Sequence, residues 1–284
     1  MNKLLTSLAA ASLVLCAPVL AQEPAAGEEE MSPAQLIYNS LDFSQGPGTY
    51  DVTSRAEINI PDGYDRLSPQ DTGKLMELYG NPAGPNEYYV APTDERWFSI
   101  FIYDDTGHIK DDEEIDADAL LDSIREGTKA GNEQRAAMGS APMSIVGWQS
   151  KPHYDETTNR LSWAVLAESE GEQIVNYNTR MLGRTGVMSA TLVASPDTLD
   201  TSIAEFEEML TGFNYKTGNL YAEYKEGDKL AQYGLAALVT GGAAVAVAKG
   251  AGKGLFKIIG LGIVAFFAFF GRIFKNIFSR KRDE

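Results

Sequence analysis

The sequence predicts an α+β domain in which an antiparallel sheet carries helices on its faces, followed by a C-terminal membrane anchor. Four strand-like runs follow one another between residues 143 and 194 with short turn-rich connections, which is typical of an antiparallel meander. Shorter N-terminal strands, and segments with apolar residues at helical spacing, flank this meander. The chain from 230 to 271 is apolar over most of its length, as a membrane segment is.

The first 21 residues have the features of a secretory signal peptide. Lys3 precedes an apolar stretch, and residues 19–21 provide the Val-Leu-Ala end that a signal peptidase accepts. Two alternatives stay open: Cys16 could carry a lipid, although Leu15 precedes it, or the segment could stay uncleaved, although it is short for a crossing. Cys16 is the only cysteine, so a mature chain would have no disulfide, thiol nucleophile or thiolate zinc site.

The folded domain is predicted at residues 33–229, after an acidic, proline-containing linker at 22–32 that is typical of disorder. Residues 55–60 alternate apolar and polar side chains, which predicts a strand. Ser68-Pro69 predicts an N-cap followed by proline in the first turn of a helix.

The central part of the domain is rich in strands. Two aromatic-rich runs, 87–91 and 97–103, precede a helix that Asp116 is expected to cap, and a last helix reaches about residue 213. The four strands of the meander are predicted at 143–149, 160–167, 173–182 and 187–194. In the second of these strands Trp163 lies on the apolar face, so we expect it in the core.

Charge is divided unevenly along the chain. Residues 22–229 carry a net charge of −23, whereas residues 230–284 carry +6. A domain this acidic repels the phosphates of nucleic acids and of anionic lipids. The sequence therefore predicts no nucleic-acid partner, and predicts that an apolar segment rather than surface charge holds the domain at a bilayer.

Residues 230–271 are the predicted membrane anchor, with the lipid bilayer as partner. Residues 258–271 form the main crossing, and the basic tail at 272–284 favours the cytoplasmic side, which places the acidic domain on the opposite side. The Gly/Ala-rich segment 234–248 suits packing through small side chains. It is either a juxtamembrane or re-entrant helix or a second crossing, and a buried soluble helix pair is the remaining alternative.

The sequence contains no recognisable catalytic or metal-binding motif. The acidic run from Asp104 to Asp118 lacks the ligand spacing of an EF-hand, so its simplest interpretation is a turn and a solvated helix N-terminus, with an irregular cation site as the alternative. His108 and His153 give no zinc signature, and no serine lies in a hydrolase motif. We predict no catalytic residue, no metal and no small-molecule cofactor.

The third strand of the meander provides the best candidate binding surface. Alternation places Asn176, Asn178 and Arg180 on one face, and Arg184 follows in the next turn. In an acidic domain these donors form a patch suited to a carboxylate, a sugar or the acidic loop of a protein partner. The alternative is that the two arginines form intramolecular ion pairs with local acids such as Asp155. Asp155 is the fifth residue of the candidate set.

Several short motifs carry a family resemblance. In chain order they are Gly80-Asn81-Pro82, Asn132-x-x-Arg135, Gly147-Trp148, Pro152-x-Tyr154-Asp155, Leu161-Ser162-Trp163-Ala164, Asn176-Tyr177-Asn178-x-Arg180-x-Leu182-Gly183-Arg184-x-Gly186 and Gly227-Asp228-Lys229-x-Ala231-x-Tyr233-Gly234-Leu235-Ala236-Ala237-Leu238-Val239. Together they resemble the bacterial membrane-anchored proteins grouped as domain of unknown function 2167, over roughly residues 35–275. The resemblance implies an exported, membrane-anchored bacterial protein, and it assigns no activity. Combined with the predicted topology, it places the anchor in the bacterial inner membrane and the acidic domain in the periplasm. The order of elements also resembles PsbP-type photosystem subunits, in architecture only.

Three functions fit these observations. The first is a non-enzymatic periplasmic domain for binding or assembly, tethered by its C-terminus. The second is a subunit of a membrane complex that packs through the Gly/Ala-rich segment. The third is a hydrolase or transferase of envelope material that uses paired carboxylates. The first is favoured, because the sequence contains no nucleophile or metal motif.

Overall fold

The computed structural model describes residues 31–79, 81, 83–137, 139 and 141–240. The predicted signal peptide, most of the linker, the predicted main crossing at 258–271 and the basic tail at 272–284 lie outside the described residues. So does the Gly/Ala-rich segment from residue 241 onward.

The described residues form five α-helices and eleven strands. The helices are α1 (Pro33–Asn39), α2 (Pro69–Leu78), α3 (Ala117–Ala137), α4 (Leu199–Leu210) and α5 (Leu235–Val239). The strands are β1 (Ser44–Gln45), β2 (Gly48–Thr53), β3 (Ala56–Ile60), β4 (Tyr64–Leu67), β5 (Tyr88–Pro92), β6 (Trp97–Asp104), β7 (Ser144–Asp155), β8 (Arg160–Ser169), β9 (Glu172–Leu182), β10 (Val187–Ala194) and β11 (Phe213–Tyr215).

Eight strands make one antiparallel sheet, in the order β1-β4-β5-β6-β10-β9-β8-β7. Strands β7 to β10 are neighbours in chain order, so the predicted four-strand meander is confirmed. A second sheet, in the order β11-β3-β2, was not predicted. The α+β class with helices on a large antiparallel sheet is likewise confirmed.

Apolar side chains fill both faces of the large sheet. On one face α4 and the small sheet bury a cluster that includes Trp97, Phe101 and Phe206. On the other face α1 and α2 cover one half, and α3 and α5 cover the other half, where Trp163 is 1% exposed. The prediction that Trp163 belongs to the core is confirmed. The central strands β9 and β10 are therefore covered on both sides.

The two predicted side-chain N-caps are present, at the starts of α2 and α3. Ser68 Oγ accepts a hydrogen bond from the backbone N–H of Asp71 at 3.3 Å, with Pro69 in the first turn of α2. Asp116 Oδ1 accepts hydrogen bonds from the backbone N–H groups of Asp118 and Ala119, both at 3.1 Å, at the start of α3. The acidic run before α3 thus serves in part to cap this helix.

Candidate functional site

The predicted donor face of β9 exists, but it is buried. Asn176, Asn178 and Arg180 point to one face of the strand, as alternation predicts, and they are 4%, 0% and 5% exposed. The prediction that these three side chains form an open surface patch is therefore wrong. The reason is the position of β9 between β8 and β10, where layers on both sides of the sheet cover it.

The amide of Asn178 is used within the sheet. Its Nδ2 donates to the carbonyl oxygen of Asn176 at 3.2 Å, and its Oδ1 accepts from Thr191 Oγ1 on β10 at 3.1 Å. These bonds satisfy a polar group that would otherwise be costly to bury. The bond to Thr191 joins β9 to β10, so the amide of Asn178 is engaged within the sheet.

Arg180 is a buried cation stacked on an indole. In the β8–β9 register Trp163 lies opposite Asn178, so Arg180 is its diagonal neighbour, with the guanidinium carbon 4.8 Å from the ring centroid. Its Nη1 donates to the carbonyl oxygen of Thr179 at 3.3 Å. Desolvation lowers the pKa of Arg180 to about 10, and the charge of Asp104 acts in the opposite direction.

Arg184 forms a two-pronged ion pair with Asp228. Nε donates to Oδ2 at 2.7 Å and Nη2 donates to Oδ1 at 2.8 Å. This pair lowers the pKa of Asp228 to about 2, first through the hydrogen bond from Arg184 and then through the backbone N–H of Lys225. Arg184 thus has an intramolecular partner, as the alternative interpretation expected, but the partner is Asp228 rather than Asp155.

Asp155 stabilises the turn in which it lies. It ends β7, where Oδ1 accepts from the backbone N–H of Thr157 and Oδ2 accepts from Thr158 Oγ1, both at 2.8 Å. The hydrogen bond from Thr158 is the main cause that lowers the pKa of Asp155. Among the described residues it forms no ion pair with either arginine, so the structure does not unite the five predicted residues in one site.

Residues 216–234, which we call the strap, form a feature that the sequence analysis missed. The strap follows β11 and lies across the β9–β10 turn and the loop after β6. The backbone N–H of Arg184 donates to Asn219 O at 2.9 Å, and Nη1 of Arg184 donates to Gly218 O at 3.2 Å. At the other end Lys229 Nζ donates to the carbonyl oxygen of Asp105 at 2.7 Å.

His108 fixes the middle of the strap. Its ring lies between Tyr221 and Tyr224, with centroid distances of 4.4 and 4.2 Å and nearly parallel planes. Its backbone N–H donates to Lys229 O, and its carbonyl oxygen accepts from the N–H of Ala231, both at 2.8 Å. Desolvation lowers the pKa of His108 below its usual 6.5. The two tyrosines lie 113 and 116 positions away in sequence, so no local pattern could predict this stack.

The strap leads directly into a packed helix. Leu235 and Val239 of α5 are each 1% exposed within the cluster that contains Trp163, and Glu113 Oε2 accepts from the N–H of Ala236 at 3.0 Å. The folded domain thus extends past the predicted boundary at residue 229. The first third of the Gly/Ala-rich segment belongs to it.

A second polar cluster ties α1 to the large sheet. Tyr38 donates to Glu95 Oε1 at 2.5 Å, and Tyr89 donates to the same oxygen at 3.4 Å. Desolvation raises the pKa of both phenols, so they are neutral donors at neutral pH. This arrangement holds a carboxylate and joins two layers, and it contains no nucleophile with an adjacent base.

A family model described as a protein of unknown function (DUF2167) matches residues 44–273. The chain belongs to the DUF2167 family. The predicted resemblance is thereby confirmed, and the match includes the strap, α5 and the arginines of β9 and its following turn. No curated protein sequence matches this DUF2167 chain.

One solved structure to which the chain shows a likeness is the solution structure of cyanobacterial PsbP (CyanoP) from Synechocystis sp. PCC 6803. It is 13% identical, with 62% of this chain and 92% of that chain covered and a TM-score of 0.37. A likeness of this size carries no information on function. In the described part of the DUF2167 chain, no helix combines the length and apolar character needed to span a membrane.

Proposed function

We propose that this DUF2167 protein is a membrane-tethered envelope protein whose periplasmic domain serves binding or assembly without catalysing a reaction. The observation that supports this best is the strap. It is joined to the domain through Arg184, His108 and Asp105, so the chain leaves the sheet along a fixed path toward the predicted anchor. A fixed path gives a tethered domain a defined orientation toward a partner.

The burial of α5 supports a single crossing. Residues 235–239 pack against the domain, which leaves residues 240–248 of the Gly/Ala-rich segment. Nine residues are too few for a helix that spans a bilayer, which needs roughly 17 or more. The apolar run at 258–271 reaches about this minimum when Leu255 and Phe256 are included and Lys257 extends to the interface. It then remains as the crossing, with the basic tail on the cytoplasmic side and the acidic domain in the periplasm.

The contacts that the ionisable groups make favour a binding role over a catalytic one. His108 is stacked between two tyrosines, and Arg184 and Asp228 neutralise each other. A general base needs a lone pair directed at a substrate, and a nucleophile needs such a base beside it. In the described part of the chain these groups instead join segments of the domain.

The test is a topology and fractionation experiment on the full chain. We expect the untruncated protein in the membrane pellet, released by detergent but not by high salt, because an apolar segment rather than charge holds it. Reporters fused after Gly252 and after Glu284 should locate the tail in the cytoplasm. Recovery of the full chain from the supernatant without detergent would refute the proposal.

A further inference from the structure

Arg180 is a buried charge without a charged partner in contact. It lies between Leu161 of β8 and Ser189 of β10 in the sheet register and is 5% exposed. A guanidinium has five N–H donors, and one hydrogen bond, to Thr179 O, forms among the described residues. Burial of an unpaired charge is costly unless an anion or further acceptors compensate it.

Asp104 acts on Arg180 only from a distance. Its charge raises the pKa of the guanidinium, against the larger effect of desolvation, yet no ion pair within 4 Å joins Arg180 to any acid of the described chain. By contrast, the guanidinium of Arg184 forms an ion pair with Asp228. Arg180 therefore retains donors that suit a planar carboxylate.

Trp163 adds a second unused donor at the same place. Three indoles are present, and two of them donate: Trp97 Nε1 to Glu205 Oε2 at 2.8 Å and Trp148 Nε1 to the carbonyl oxygen of Ala117 at 3.0 Å. Trp163 Nε1 is buried and has no acceptor among the described residues. Buried indole N–H groups usually find an acceptor, so this N–H is available to an acceptor supplied by a ligand.

The strap lies close to Arg180 and Trp163. Tyr233 packs against the apolar cluster that contains Trp163. Burial and then the charge of Asp104 raise the pKa of its phenol, and the charge of Arg180 opposes this shift. A ligand that reaches Arg180 would therefore contact the segment that leads to the predicted anchor. The net charge of −23 over residues 22–229 disfavours multiply charged anions and favours a ligand with a single carboxylate.

We propose that Arg180 and the indole N–H of Trp163 form a binding site for one carboxylate group, supplied either by a small organic acid or by an acidic side chain of a partner protein. This inference rests on the proposed binding role and names the chemistry that the domain recognises. The guanidinium binds the carboxylate in a bidentate manner, and the indole N–H supplies a third hydrogen bond.

The test is an NMR titration of the full chain in detergent micelles, observed at the indole N–H signals. Acetate, glucuronate and a short, C-terminally amidated peptide with one glutamate are added at constant ionic strength. We expect a saturable downfield shift of the Trp163 signal, assigned with Trp163→Phe, while the Trp97 and Trp148 signals stay in place. Shift by acetate and glucuronate alone identifies a small acid, and a much lower half-saturation with the peptide identifies a protein side chain.

Two variants make the test specific. Arg180→Lys keeps the charge but removes the bidentate fork, so the half-saturation concentration should rise at least tenfold. Arg125→Lys replaces a half-buried arginine on α3 that contacts Asp122 and the carbonyl oxygen of Val146, and it should leave the half-saturation concentration unchanged. If Arg180→Lys fails to fold, the wild-type titration still decides, because Trp97 and Trp148 report unspecific effects in the same sample.

The proposal is overturned if no ligand moves the Trp163 signal by 100 mM, if all three indole signals move alike, or if folded Arg180→Lys binds as the wild type does. These outcomes are separate from the fractionation result. A chain found in the supernatant would refute the tethered role and leave the titration unaffected, whereas a silent titration would leave the tether intact.

Discussion

Arg184 holds both carboxylate oxygens of Asp228, 44 positions away, and so joins the β9–β10 turn to the strap. Arg184→Lys keeps the charge but provides one point of contact in place of the fork. We expect the amides of residues 218–231 to exchange several-fold faster in hydrogen–deuterium exchange. The sheet amides should keep their protection. Equal exchange in the wild type and Arg184→Lys would show that the ion pair does not hold the strap.

The same pair predicts a response to acid. The pKa of Asp228 is about 2 in the folded protein against the ordinary 3.8. A lowered folded pKa means that the contribution is fully present above pH 3.8 and is lost as the pH falls toward 2. Asp228→Asn should therefore lower the thermal midpoint at pH 7 and flatten its decline between about pH 4 and pH 2. A decline as steep as that of the wild type would contradict this assignment.

His108 predicts a second pH response, in a different window. Desolvation lowers its pKa below 6.5, although Asp111 and Asp228 oppose the shift. Above pH 6.5 both the folded and the unfolded forms are neutral, and below it the unfolded form takes the proton first, so stability is lost as the pH falls through 6.5.

His108→Phe separates the titration from the stack. Phenylalanine keeps a ring between Tyr221 and Tyr224 but does not titrate. We expect the exchange of residues 219–231, corrected for intrinsic rates, to increase from pH 7.5 to pH 5.5 in the wild type and to change much less in His108→Phe. The same increase in both proteins would exclude His108 as its cause.

Local patterns in the sequence predicted the meander because its strands are long, alternate regularly and pair with their neighbours in chain order. The second sheet was missed, since β11 has three residues and pairs with β3 more than 150 positions earlier. No periodic signal marks a strand that short.

The candidate site was predicted only in part, for a related reason. Alternation correctly placed Asn176, Asn178 and Arg180 on one face, but burial depends on the layers above that face. The partner of Arg184 lies in the strap, beyond the last element that periodicity could detect. The unused indole N–H of Trp163 is visible only when the acceptors around it are known.

Phe206 is expected to contribute strongly to stability on the face of the large sheet that α4 covers. Its ring is 0% exposed and packs edge-on against Trp97 and Tyr177, at 5.8 and 6.2 Å between centroids. Phe206→Ala removes these contacts and leaves a cavity, which costs about 3–5 kcal/mol. Urea unfolding in detergent should show this loss. Glu208→Ala, an exposed change on the same helix, should stay within about 0.5 kcal/mol, and a similar loss in both would place Phe206 outside the core.

Gly107 has no side chain, which allows the strap to lie close against the loop after β6. Gly107 has φ +97°, and a Cβ there would lie 2.7 Å from Lys229 O and 2.8 Å from the carbonyl carbon of Leu230. Gly171 has φ +83° and open space around the same position, so it provides a matched control. Both alanine variants incur the strain of a left-handed backbone, about 1–2 kcal/mol.

Only Gly107→Ala also pushes the strap away, because the neighbouring atoms belong to the backbone and cannot rotate aside. We therefore expect a larger fall in thermal midpoint for Gly107→Ala than for Gly171→Ala, with faster exchange of residues 226–234 in the first variant alone. If the two variants lose equal stability and the strap amides stay protected in both, the strap does not lie against Gly107 in solution. In that case the fixed path from the sheet to the anchor would have to be abandoned.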